Sequence, residues 1–155
     1  MNTKGRTTGA VLVCLGAVIG ASGSASANDS QLRGPREGQS AYVKSSSGYT
    51  QATMFIRKGE SLIMLWAGGQ EYGCSQGQMT APGVASMFDS GYNYRFRMQF
   101  DRDSGGIWLR SKSGGASWDD WWWAKRSTPS KALKAVKKST GTGGKFTWAA
   151  VKQSC

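Results

Sequence analysis

From Tyr92 to Phe100 every second residue is large and apolar: Tyr92, Tyr94, Phe96, Met98 and Phe100 alternate with Asn93, Arg95, Arg97 and Gln99. Only an extended chain sends alternate side chains to opposite faces, so this stretch predicts a strand with one buried and one wet face. The run DRDSGG that follows supplies turn residues, and IWLRSK at 107–112 supplies a return strand, which makes a hairpin. Upstream, residues 41–44, 49–57 (YTQATMFIR) and 61–66 (SLIMLW) read as strands, the last two joined by a turn at Lys58-Gly59-Glu60. Gly68, Gly69, Gly73 and Gly77 then break the pattern and predict a loop carrying Cys74 as far as Ala81-Pro82-Gly83.

Beyond residue 116 the signals become helical. Ser117 with Asp120 three positions on resembles a capping box, Asp119 and Asp120 fall in a first turn, and Lys125 and Arg126 fall in a last one, which predicts a short helix over 118–126. Thr128 ahead of Pro129 predicts a second helix over 129–138, and KFTWAAVK at 145–152 a closing strand. Residues 28–39 are polar, contain Gly34-Pro35 and predict an extended or flexible arm ahead of a fold that begins near Ser40. The expected architecture is mainly β: one small antiparallel sandwich or barrel over 40–155 with one or two short helices within 117–138.

The first 27 residues add a location. Lys4 and Arg6, the apolar run AVLVCLGAVIGA and the small residues Ser24-Ala25-Ser26-Ala27 read as a secretory signal peptide, too short in its apolar part for a bilayer core that needs roughly 20 residues. Bulky Val13 before Cys14 argues against a lipid attachment site, so no transmembrane or lipid anchor is expected. Removing 27 of the 155 residues leaves 128, enough for one domain. Two cysteines then remain, Cys74 and Cys155, and outside the cell they are expected to pair. Such a bridge closes a loop of about 80 residues, worth roughly 4 kcal/mol in the chain-entropy model, and docks the C-terminal residue.

Charge is unevenly spread. Lys125, Arg126, Lys131, Lys134, Lys137, Lys138, Lys145 and Lys152 follow Trp121 with no acid among them, which favours an anionic partner surface. The chain has no histidine, which removes the Ser-His-Asp and Cys-His nucleophile arrangements and the ligand most used by catalytic zinc. A carboxylate hydrolase would have to use Asp119 or Asp120 with Glu60, Glu71 or Asp101, and helix capping accounts for the first two without chemistry. Asp101, Asp103 and Gly106 are spaced like the start of a calcium loop, but Lys112 stands where the bidentate acid belongs, so a hairpin turn is the better reading and no metal or other cofactor is expected.

Trp118, Trp121, Trp122 and Trp123 are more indole than one short helix can bury, so at least one is expected to be exposed, whereas Trp66, Trp108 and Trp148 sit in strand patterns and are expected in the core. The expected function is that of a secreted, non-enzymatic binding protein. Its candidate surface is Trp121, Trp122, Trp123, Lys125, Arg126, Lys131, Lys134 and Lys138, directed first at an extracellular protein partner, as a complex subunit, an inhibitor or a toxin-associated factor. A carbohydrate or an anionic cell-wall polymer is the alternative, a small carboxylate hydrolase comes third, and no nucleic-acid motif accompanies the charge.

Overall fold

The computed structural model describes residues 32–140 and 146–155; the signal peptide expected over 1–27, the start of the arm at 28–31 and Lys145 of the expected closing strand lie outside the described residues. Among the described residues eight strands form the body: β1 (Gly38–Ser46), β2 (Tyr49–Lys58), β3 (Ser61–Gly68), β4 (Glu71–Ala81), β5 (Val84–Asp89), β6 (Tyr94–Arg102), β7 (Gly106–Ser113) and β8 (Trp122–Ser127). Each pairs antiparallel with the next, and β8 returns to β1 to close a barrel, so the mainly β architecture is the barrel form. Two helices follow, α1 (Pro129–Thr140) and α2 (Trp148–Lys152).

Alternation fills the inside. Tyr42, Phe55, Leu62, Met87, Phe100, Ile107 and Leu109 are buried together as one interior cluster, with Phe55 edge-on to both Tyr42 and Phe100. The opposite faces of β1 to β4 form a second cluster with the helices, in which Ala41, Ala52, Met54 and Leu65 meet Ala132 and Val136 of α1 and Val151 of α2. The helices therefore wrap one side of the barrel rather than cap its ends.

One end is plugged. Leu32 and Pro35 are buried there, Arg33 N–H donates to the Phe100 carbonyl at 3.0 Å, and the Arg57 guanidinium donates to the Pro35 carbonyl at 3.0 Å. Of the expected arm, 28–39, residues 32–37 are docked without regular structure and Gly38 and Gln39 already belong to β1.

Three expectations are corrected. Residues 118–126 are not helical: 118–121 form a loop and the rest joins β8, because β7 and β1 would otherwise both keep unpaired edges and closure outweighs a few local helix signals. The expected loop around Cys74 is largely strand, β4 and β5; on β4 the inward Gly73 lies against the Trp66 indole and Gly77 against the β5 backbone at Ser86 and Met87, where a side chain would not fit. The expected closing strand contains α2 instead, capped by Thr147, whose Oγ1 accepts from Ala150 N–H at 3.1 Å. The second helix is present where Thr128 and Pro129 placed it.

Cys74 and Cys155 form the expected disulfide. Around it Gln76 donates to the Cys155 carbonyl at 3.2 Å and Ser90 to the Ser154 carbonyl at 3.2 Å, so the C-terminal segment is held against β4 and the β5–β6 loop. Among the described residues no helix is long and apolar enough to cross a membrane.

Candidate functional site, the open mouth of the barrel

The end opposite the plug is open. It is rimmed by the β1–β2, β3–β4, β5–β6 and β7–β8 loops and leads into a cavity of about 660 Å³. Trp66 on β3, Tyr94 and Phe96 on β6 and Trp122 on β8 supply aromatic wall, with Tyr92 on the β5–β6 loop above them. Between them stand short uncharged hydrogen-bonding groups: Gln51 and Thr53 from β2, Ser111 from β7 and Ser117 from the β7–β8 loop. Met64 and Met98 line the bottom, where the interior cluster begins.

Its charges are largely committed. Asp89 is buried, and its carboxylate accepts from the Ser75 hydroxyl at 3.1 Å and from the backbone N–H groups of Gly91 and Tyr92 at 3.0 and 3.2 Å. Asp89 thus fastens the loop that carries Tyr92. Asp119 accepts from the Ser111 hydroxyl at 2.8 Å, so it braces the β7–β8 loop rather than capping a helix, while Asp120 is exposed. The Lys44 ammonium lies 4.8 Å from the Trp122 ring centroid, a cation held on an aromatic face. Tyr92, Tyr94 and Phe96 run as a file of rings 6.1 and 5.4 Å apart. Burial, then the Asp89 carboxylate and Tyr92, hold the Tyr94 phenol above its ordinary value near 10.0.

The tryptophans expected to act together are divided by strand alternation. Trp122 packs against the interior and lines the mouth, whereas Trp123 is exposed and its indole donates to Asp103 at 3.3 Å. Trp121 and Trp118 flank the Arg110 guanidinium at 4.6 and 5.1 Å, and Lys112 lies 5.0 Å from the Trp118 ring. Much of the expected binding indole is therefore occupied by cations of this same chain. Lys125 and Arg126 are exposed on β8, and Lys131, Lys134 and Lys138 are exposed on α1. Trp148 packs under α1 and donates to the Pro129 carbonyl at 2.8 Å, but Trp66 is at the mouth, not in the core, and Trp108 is half-buried on β7 beside Trp123.

Asp103 closes the β6–β7 hairpin by accepting from Gly105 and Gly106 N–H, which is the turn reading of that segment. Among the described residues no three acidic or thiol groups cluster so as to hold a metal ion. Sequence reasoning missed Gln51, Thr53, Asp89 and Tyr92 as site residues, since they come from β2, the end of β5 and the β5–β6 loop, which only the folded barrel brings to one mouth. Compared with family models, curated proteins and solved structures, the chain matches none.

Proposed function

We propose that this is a secreted, non-enzymatic binding protein whose site is the open barrel mouth, and that the mouth takes a neutral saccharide unit. The observation that carries this is the composition of the wall: aromatic faces on Trp66, Tyr94 and Trp122 interleaved with the neutral hydrogen-bonding groups of Gln51, Thr53 and Ser111. A pyranose ring is a flat apolar face edged with hydroxyls, and it meets an aromatic face with its C–H side while its edge takes hydrogen bonds. The buried carboxylate supports a neutral ligand and a binding rather than a hydrolytic role, because both Asp89 oxygens already accept hydrogen bonds from the protein. The disulfide supports work in an oxidising compartment.

Tryptophan fluorescence titrated with neutral saccharides tests the reading. Quenching that saturates, resists added salt and weakens in Gln51→Ala is expected. If no neutral saccharide on a broad glycan array binds, the proposal fails.

A second reading rests on α1. Its apolar residues Ala132, Leu133 and Val136 are buried and its lysines Lys131, Lys134 and Lys138 are exposed, so an acidic extracellular protein or cell-wall polymer has a basic face to dock on.

A further inference from the structure

The barrel wall has a window beside the mouth. β4 runs on beyond the end of β5: Ser75 pairs with Asp89, but Glu71 to Cys74 pair with β3 alone, so the wall is open between the start of β4 and the β5–β6 loop. The opening holds a second cavity of about 450 Å³, lined by Gln70, Glu71 and Tyr72 on one side and Gly91 and Ser154 on the other. Trp66, Asp89 and Tyr92 line both this cavity and the mouth.

We infer that the ligand is a saccharide chain of two or more units, one unit seated in the mouth and the next leaving through the window across Trp66, an assignment that rests on the saccharide reading of the mouth. Four features carry it. The two cavities share a wall, so a ligand in one touches the residues that border the other. That wall is fixed before binding, because Asp89 pins Tyr92, Ser90 is tied to the Ser154 carbonyl, and the disulfide holds the C-terminal segment at the window's edge. Gly73 leaves the Trp66 indole against bare backbone, so the ring's near face is supported by the β3–β4 ladder. The window's own lining offers an aromatic ring in Tyr72 beside two hydrogen-bonding groups, the Gln70 amide and the Glu71 carboxylate. A ligand of a single unit leaves one of the two cavities unused.

Calorimetric titration with neutral gluco-, manno- and N-acetylglucosamine oligosaccharides of increasing length tests this on the whole protein. For the sugar that binds, affinity is expected to rise roughly tenfold or more from one unit to two or three and then level off, as for two linked subsites. Gly91→Phe, which fills the window, and Tyr72→Ala, which strips its lip, are each expected to reduce that ratio towards one; near-UV circular dichroism checks that each remains folded. An affinity independent of length, or a length dependence untouched in a folded window variant, overturns the inference while leaving the mouth site standing. Failure of every saccharide, single or chained, removes both.

Discussion

Trp66 stands opposite Gly73 across the β3–β4 ladder, and a Cβ placed on Gly73 would lie 2.7 Å from the indole ring. The glycine is therefore part of the mouth: it sets where the shared wall of the two cavities lies. Gly73→Ala is expected to push the ring aside and to cost about 1–3 kcal/mol as an overpacking change. Urea denaturation and the near-UV spectrum check it; an unchanged tryptophan signal would mean that the ring does not rest there.

Reduction is the second test. Cys74 and Cys155 are 81 positions apart, and removing a bridge of that span is expected to cost about 2–5 kcal/mol. The C-terminal segment should loosen first, because α2 is short and Ser154 and Cys155 are tied to the barrel by the bridge and by hydrogen bonds from Ser90 and Gln76, their other hydrogen bonds running back to α2 itself. Hydrogen exchange with and without reductant resolves the order.

Alkaline pH should expose the coupling at the mouth. Because the Tyr94 phenol is held above its unfolded value, the unfolded chain releases this proton first, so this group's contribution to stability is present below about pH 10 and is lost as pH rises through the folded value. Ultraviolet titration should show the Tyr94 phenol ionising late, and Asp89→Asn should remove the carboxylate's share of that shift and leave the share that burial causes. If that phenol titrates normally in the parent protein, the carboxylate does not act on it.

Tyr42 offers a test in the opposite direction. Its hydroxyl is buried and has no hydrogen-bond partner among the described residues, so Tyr42→Phe removes a desolvated polar group and keeps the ring packed on Phe55. Stability is expected to be unchanged or to rise by up to about 1 kcal/mol. A clear loss in thermal melting would reveal a partner for the hydroxyl.

On α1, reversing the charge of Lys131, Lys134 and Lys138 should leave the helix docked through Val136 and slow capture of an acidic polymer, most strongly at low salt. Saccharide binding at the mouth should not change. Surface plasmon resonance across a salt series separates the two sites; a salt slope unaffected by the reversal removes the basic face from consideration.

The sequence is most legible where each residue has one wet and one dry neighbour. β6 announces itself because Arg95 and Arg97 face outward while Phe96 and Met98 face inward, and the cysteine pair is legible from number alone. β4 is obscured by its own packing: Gly73 is small to admit the Trp66 ring and Gly77 to let the β5 backbone at Ser86 and Met87 come close, yet glycine in a sequence reads as a turn. Around Trp122 the local cues point to a helix, and only the empty places beside β7 and β1 make it a strand. The mouth depends on that closure. Gln51 and Trp122 lie far apart in sequence and meet only after eight strands have joined.

That joining is uneven. Seven of the pairings link consecutive strands and form as hairpins, whereas β1 meets β8 through three registered pairs, Ala41 with Ser127, Tyr42 with Arg126 and Val43 with Lys125. The barrel therefore behaves like a sheet rolled up and stitched along one short seam. Among the described residues the seam is the most non-local strand pairing, formed at the greatest loss of chain entropy and the first that a local opening can undo. Amides of β8 should exchange ahead of those in β2 and β3, and because Trp122 begins β8, the strand that the seam holds to β1, an opening that frees β8 briefly loosens part of the mouth's wall.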